Sequence, residues 1–447
     1  MEDQDRLQAA MQAIIRAGGD PRDFEVLRES HPADIAQALL SFPAEEQVAV
    51  FRLLPQEMAA EVLSKVDDET LLHLVGSLGD TQVSRILEQM PAEHAADVVE
   101  ELPAEQAEKI LGLMEEEKSE DVQELLDYPE DSAGRLMSTT VVAVPETATV
   151  QQTIDHIRKQ ITEERAFEVF VVDSHGHLVG VVPLRRLLTA DPNTVILAIR
   201  DDEVQSVTAT MDREEVARLV AKYDLVAVPV VDEQHRLLGM ITVDDVVDIL
   251  GEEASEDIFR LAGSDAAELE RRSPRQVALM RLPWVLTTLV IELFAGVVIH
   301  YFDQTLGRVI LLASFMPVIQ AISGNTGLQS VTMVVRGLAT GHVVLERWWE
   351  PLWRQVQTSS ILGAVCAIVV GTIGLLWHSP LFGLVVATSM FVSVNLSGVA
   401  GTVIPMLSKR LGFDPALTAG PFETALQDVL GVTIFLGLAT ALLHWLA

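Results

Sequence analysis

Three stretches in the C-terminal part of the chain place oxygen-bearing side chains inside runs that are otherwise apolar. Residues 323–330 read SGNTGLQS, where Gly324 and Gly327 bare the backbone and Asn325, Thr326 and Gln329 offer oxygens. A second stretch, VSVNLSGVAGTVIP, brings Asn395, Ser397 and Thr402, and a third brings Glu423 and Asp428. Glu292 is a further lone carboxylate. Oxygen donors without imidazole or thiolate clusters suit a hard cation such as Mg²⁺ or Ca²⁺ better than Zn²⁺ or Cu⁺. Small residues and amides also serve ordinary packing between apolar helices, so Gly324-x-x-Gly327 alone would be weak. Asp428 shifts the weighting, because an isolated desolvated carboxylate costs several kcal/mol unless a counter-charge meets it. Its competing reading is a first-turn aspartate seven residues after Pro421, held by the helix dipole near an interface. For Glu292 the alternatives are snorkelling, pairing with a neighbour, or a part in transport.

These groups belong to five apolar stretches, near residues 282–301, 309–335, 356–377, 381–407 and 421–446. Each can cross a hydrocarbon core of about 30 Å at about 1.5 Å per helical residue. Five spans over residues 279–447 are therefore expected. An amino-terminal body in the cytosol leaves Arg281, Arg336, Arg347, Arg354, Lys409 and Arg410 inside and Arg308 outside, as the positive-inside tendency asks. An odd number of crossings then puts the C-terminus outside. Trp348, Trp349 and Trp353 fall in an inner loop, where indoles favour the interface. Pro317, Pro405 and Pro421 interrupt or open helices, which is tolerated where freed carbonyls line a wet cavity.

The net charge lies entirely outside this region. Residues 1–278 hold 58 acidic against 24 basic side chains, and residues 279–447 hold 7 against 7, so the formal charge of −34 belongs to the first part alone. Such an excess of carboxylates repels phosphate backbones, and no nucleic acid partner is expected. The opening MEDQDRLQAA lacks the basic and apolar regions of a signal peptide, and the single Cys366 excludes an internal disulfide. Both features agree with a cytosolic first body.

Within residues 1–130 a 12-residue step recurs: Pro43-Ala-Glu, Pro55-Gln-Glu, Asp67-Asp-Glu, Gly79-Asp, Pro91-Ala-Glu and Pro103-Ala-Glu. Proline suits the first position of a helix and a following Glu favours its positive end, so each step should start a short helix. Val62-Leu63, Ile86-Leu87, Val98-Val99 and Ile110-Leu111 recur between the starts, so each helix can bury one stripe only against its neighbours. An all-α superhelical domain follows, either a spacer or a regulatory element.

Residues 131–257 hold a second repeat. FVVDSHGHLVGVVPLRRLL from Phe170 matches PVVDEQHRLLGMITVDDVV from Pro229, each copy reading as strand, turn, strand and amphipathic helix. This α+β pair resembles tandem CBS domains (cystathionine β-synthase modules), which commonly dimerise and often bind adenine nucleotides. The resemblance implies a Thr-x-x-Asp contact to a ribose, kept here by Thr242 and Asp245. In the first copy the corresponding residues are Pro183 and Arg186. ATP is thus a candidate cofactor beside the alternative of a purely dimerising module. Residues 258–278, acidic then basic, read as a connecting helix near the membrane surface, with Arg271, Arg272 and Arg275 close to lipid headgroups.

The order of parts resembles the MgtE family of magnesium channels and transporters over essentially the whole length. Asn325, Gly327 and Gln329 match the family's G-N-T-G-x-Q element, and Asp428 matches its pore aspartate. Leu328, Ser323 and Gly420 depart from residues frequent there. The resemblance implies a homodimer in a plasma membrane of bacterial inner-membrane type. Its pore lies on the two-fold axis, lined by Gly324, Asn325, Gly327, Gln329 and Asp428, and passes Mg²⁺. It also implies a cytosolic Mg²⁺ sensor formed by Glu61, Asp97, Glu214, Asp224, Asp245, Asp248, Glu253, Glu256 and Asp257, which holds the channel closed when Mg²⁺ is bound. The alternative on the same fold is a Na⁺- or H⁺-coupled exchanger using a carboxylate such as Glu292. An enzyme is not expected: there is no G-x-S-x-G, H-E-x-x-H or P-loop pattern, and His175-Gly-His177 falls in a hairpin turn where exposure is the ordinary explanation.

Overall fold

The computed structural model describes residues 2–17, 20–160, 168–264 and 274–442. They divide into two compact units, Met1–Gly251 and Glu252–Ala447.

The first unit begins with ten helices, from Glu2–Ala17 to Glu116–Leu126. The 12-residue step sets their starts at Ala44, Gln56, Asp68, Asp80, Ala92 and Ala104. Pro43, Pro55, Pro91 and Pro103 occupy the cap position, one residue earlier than expected, with φ between −59° and −53° and an extended ψ. The cap suits proline because its carbonyl already accepts the first helical bond, as Pro55 does from Ala59 N at 2.8 Å, while its missing N–H leaves nothing unpaired. Alternate helices pack together: Gln56–Leu63 lies against both Pro32–Leu39 and Asp80–Leu87, and Ala92–Glu100 against Glu116–Leu126. The buried stripe contains Val62, Leu63, Ile86, Leu87, Val98 and Val99. Each such side chain contributes about 1.5–3 kcal/mol by leaving water.

Two three-stranded sheets follow, β1 (Ala143–Pro145), β2 (Glu168–Val172) and β3 (Leu178–Pro183), then β4 (Val207–Thr208), β5 (Ala227–Val231) and β6 (Leu237–Thr242). In each sheet the first strand is parallel to the second, which pairs antiparallel with the third. The repeat extends to an irregularity, since both hairpins shift register, at Val171/Val172 and at Val230/Val231. Their tips also pair with each other, Leu178 N donating to His235 O and Leu237 N to Gly176 O. Gly239 is required by close approach: a Cβ there would lie 2.5 Å from the Ser138 carbonyl. The second module shares one apolar core with the helical repeats, and the first keeps its own around Val144, Val169, Val182 and Ile196.

Helix α1 (Val243–Leu261) runs unbroken across the boundary between the units. The connecting-helix reading for residues 265–273, including Arg271 and Arg272, lies outside the described residues. The second unit is then helical: α2 (Pro274–Tyr301), α3 (Leu312–Ala339), α4 (Trp349–Trp377), α5 (Pro380–Arg410) and α6 (Pro421–Ala441). Among the described residues four helices are long and apolar enough to cross a membrane, three being α2, α4 and α5 and the fourth Glu423–Ala441 of α6. Helix α3 has the length, 28 residues, but its middle carries Gln320, Ser323, Asn325, Thr326, Gln329 and Ser330, which dilute its apolar character.

Small residues set the helix spacing. Gly363, Gly371 and Gly374 of α4 face Phe391, Ala387 and Gly383 of α5 with little or no room for a Cβ. This arrangement suits helices that associate through close backbone contact. Phe315, Phe382 and Phe435 fill the core among α3, α5 and α6. By contrast α2 leaves Val285, Leu289, Leu293, Phe294 and Val297 exposed.

Candidate functional site

Gly327 is where three helices meet. A Cβ on Gly327 would collide with the Gln427 side chain and lie 2.6 Å from Glu423 Oε1, both on α6. A Cβ on Gly401 of α5 would lie 2.5 Å from the Gly327 carbonyl. Gly327 is thus buried as a packing residue, while Gly324 has room, its nearest neighbour being Thr424 Cγ2 at 3.9 Å from a Cβ. Asn325 and Gln329, one helical turn apart, lie on the exposed side of α3 with Leu328 and Thr332. Asp428 is half-buried on α6 and meets the Glu292 carboxyl of α2 through its side chain. The two lone carboxylates of the sequence therefore belong to one place.

The remaining oxygen groups are largely used in holding helices together. Asn395 Oδ1 accepts from Ser360 Oγ at 2.8 Å and Ser359 Oγ at 3.3 Å, and its Nδ2 donates to Phe391 O at 2.9 Å. Thr326 and Thr402 donate to the carbonyls one turn back, Ile322 and Gly398. Ser397 lies in hydrogen-bond contact with both the Ser323 carbonyl and the Gln427 side-chain amide. Glu423 is fully enclosed. Gly420 has no room for a side chain, because a Cβ would sit 2.5 Å from the Leu261 carbonyl at the end of α1. Close by, Arg260 of α1 pairs with Glu256 and with Asp414 at 2.5 Å, and Asp414 caps the short helix Pro415–Ala419 that precedes α6.

The carboxylates expected to sense cations are spread over both units. In the first, Asp97 and Glu100 pair with Arg135 at 3.2 and 2.6 Å, and Asp245 is near enough to act on the Asp97 charge. Loss of hydration raises the Asp97 carboxyl above its usual range, Glu100 and Asp245 add to this, and Arg135 and His94 oppose it. The side chain is nevertheless 60% exposed, so solvent screens much of that effect. Asp248 meets Lys65 at 3.4 Å, and Glu214 meets Arg218 at 3.4 Å. Asp245 Oδ2 accepts from both the backbone N and the hydroxyl of Thr242, at 3.0 and 2.6 Å. Asp224 is the left-handed C-cap of the helix Arg213–Tyr223, and Glu61 is exposed. In the second unit, Glu253, Glu256 and Asp257 lie on the later part of α1.

Sequence reasoning missed Arg135, a guanidinium only 2% exposed between two acids, because a lone arginine in SAGRLM has no spacing signal. It also missed the contact of Glu292 with Asp428. The triad Asp173, His175 and His177 brings its ligand atoms within 4.8 Å of one another. However, the repeat gives this cluster a turn-bracing role. Asp173 accepts from His177 Nδ1 at 2.9 Å just as Asp232 accepts from Arg236 Nε at 2.7 Å in the second copy, and arginine does not ligate metal. The His177 hydrogen bond is the main reason the Asp173 carboxyl is held down to about 2.

A helical repeat and a paired CBS-like module followed by a bundle of apolar helices that carries polar groups define a membrane transport protein with a large acidic amino-terminal part. Family models agree part by part. Residues 30–131 match the MgtE intracellular N domain, 133–193 and 198–252 match the CBS domain, and 316–438 match the MgtE divalent cation transporter. The magnesium transporter MgtE of Bacillus subtilis is 33% identical over 96% of each chain, and that of Thermus thermophilus 34% identical over 99% of each. The chain belongs to the MgtE family of magnesium transporters. Among solved structures, the cytosolic domain of the Mg²⁺ channel MgtE in complex with ATP is 36% identical, with a TM-score of 0.52, covering 54% of this chain and 99% of that one. The soluble part of a magnesium transporter gives 28% identity, the same TM-score, and coverage of 56% and 99%.

Proposed function

We propose that this protein passes Mg²⁺ across the plasma membrane as a homodimer, through a path on the two-fold axis between the exposed stripes of α3 and the Asp428 residues of α6. The observation that carries this reading is the placement of Asn325 and Gln329. They lie on an exposed face of a 28-residue helix within an apolar bundle, and lipid offers amides no partner. A second copy or a water-filled path satisfies them. Helix α3 is then the fifth span, its polar middle being the reason its composition falls short, and the C-terminus faces outward.

Two Asp428 carboxylates would present −2 to one ion, and Mg²⁺ gives up water reluctantly, so contact runs largely through retained waters. Such a ring selects by charge and by the size of the hydrated ion, and it excludes anions. If Asp428→Ala in the purified, folded protein leaves divalent flux into liposomes unchanged, the pore assignment is wrong.

The acidic carboxylates close the path when cytosolic Mg²⁺ binds them. Their oxygen-only donor set fits Mg²⁺, and several are held at present by cationic side chains that an ion would compete with: Asp97 by Arg135, Asp248 by Lys65, Glu214 by Arg218 and Glu256 by Arg260. Arg260 and the Leu261 carbonyl give α1 direct contact with the segment leading into α6, which supplies the link from sensor to pore. Protease protection of residues 1–278 that is indifferent to Mg²⁺ would remove the sensor role. Thr242 and Asp245 are the residues we assign to ATP, in line with the ATP complex of the related cytosolic domain. The contact of Glu292 with Asp428 favours a second reading, coupled exchange in which this pair takes H⁺ or Na⁺. Dependence of flux on a counter-ion gradient separates the two.

A further inference from the structure

Bracing of the first hairpin turn accounts for Asp173 and His177 and leaves His175 unexplained. In the second copy one side chain, Arg236, holds the turn, and Gln234 stands where the first copy has His175. Both aspartates also close their turns through the backbone. Asp173 Oδ1 accepts from the N–H of His175 at 2.7 Å and of His177 at 2.9 Å, and Asp232 Oδ1 accepts from Gln234 N at 2.9 Å and Arg236 N at 2.8 Å. The first turn is complete without the His175 ring.

That ring nevertheless stands with the other two groups. Its centroid is 5.9 Å from that of His177 with the planes inclined by 28°, and its Nδ1 lies 3.9 Å from Asp173 Oδ2, the same oxygen that His177 Nδ1 meets at 2.9 Å. An ion with tetrahedral bonds of about 2.0–2.1 Å sets its ligand atoms about 3.3 Å apart. The two observed separations straddle that figure, so small side-chain shifts suffice. Gly176, with φ of 83°, makes the bend that brings the two rings round, a conformation that favours glycine.

Two imidazoles and one carboxylate suit Zn²⁺, Co²⁺ or Ni²⁺, whereas Mg²⁺ is served by oxygen. The Asp173, His177 and His175 side chains are 25%, 39% and 77% exposed, which leaves further coordination positions to water. Two hydrogen-bond contacts give way to the ion: His177 with Asp173, and Ser174 Oγ with His175 Nδ1 at 3.2 Å. Arg236 stands opposite His177 across the paired hairpin tips, and Asp232 takes up its charge at 2.7 Å.

We propose that Asp173, His175 and His177 form a site for a late first-row divalent metal ion, of the Zn²⁺, Co²⁺ and Ni²⁺ kind, at the tip of the first CBS hairpin. This tip pairs with its counterpart through Leu178 N to His235 O and Leu237 N to Gly176 O, so a bound ion stiffens the contact between the two modules. The acidic part of the chain thereby holds a cation of a different class from the one its carboxylates suit.

The test is Co²⁺ titration of the full-length protein in detergent, free of any histidine tag and read by visible absorption, in the parent, in His175→Gln and in His175→Gln/His177→Arg. The double variant gives these two positions the residues of the second copy, so a brace on Asp173 is kept while both imidazoles are lost. The parent should bind Co²⁺ with the absorption of imidazole ligation, Zn²⁺ should displace it, and Mg²⁺ in about a thousandfold excess should not. His175→Gln, whose brace is untouched, should bind at least about tenfold more weakly, and the double variant should lack the band. Equal binding by the parent and His175→Gln would overturn the proposal, as would a parent that binds no Co²⁺ or gives it up to Mg²⁺. His175→Gln decides even if the double variant does not fold, and no arm depends on the transport reading.

Discussion

Asp248 and Glu423 are both carboxylates on helices. Asp248 is 67% exposed and pairs with Lys65 at 3.4 Å, whereas Glu423 is fully enclosed with neither oxygen partnered among the described residues. The acidic unit disperses many charges in water, where each pair contributes about 0–1 kcal/mol and salt screens it. Residues 279–447 hold only 7 acids, and each one enclosed among the apolar helices must be neutralised, paired or used. The number of charges is thus a poor guide to their consequence. Arg135 shows the same rule inside the acidic unit, since it is the buried member of its cluster.

Substitutions chosen across that contrast should differ widely in effect. Asp428→Ala should cause the largest functional loss, at least about tenfold in Mg²⁺ flux, since about 1.4 kcal/mol of lost cation stabilisation already gives a factor of ten. Stopped-flow flux into liposomes reads it. Arg135→Ala removes the buried guanidinium that Asp97 and Glu100 share and leaves two carboxylates that solvent still reaches, so it should destabilise the first unit by about 1.5–3 kcal/mol, seen as loss of hydrogen-exchange protection across residues 92–136. Gly327→Ala drives a methyl group into Gln427 and should cost about 1–3 kcal/mol, read as a lower melting temperature in detergent. Asp248→Asn removes a surface pair, and less than about 1 kcal/mol should be lost in the same measurement. A melting shift for Asp248→Asn as large as that for Gly327→Ala would break the contrast between the two units.

The sequence was most legible where structure is local. The 12-residue punctuation located six helix starts because capping depends on residues within one turn. The offset between Phe170 and Pro229 carried through to matching irregularities in two hairpins. What was not legible depended on partners far along the chain. Asn395 reads as an oxygen ligand until Ser359 and Ser360 are seen to use it. Gly327 reads as bared backbone until Gln427 and Glu423, a hundred residues on, fill the space. Arg135 carries no periodic signal, because its role depends on Asp97 and Glu100 arriving from another helix.

The alternate stacking of the short helices has a mechanical consequence. Because Pro32–Leu39, Gln56–Leu63, Asp80–Leu87 and Ala104–Leu111 each lean on the next but one along the chain, a load applied at one turn is shared among successive contacts. Such a body yields as a coil spring does, by small bends summed over its length. A displacement imposed at one step is therefore passed along the stack and not confined to a single contact.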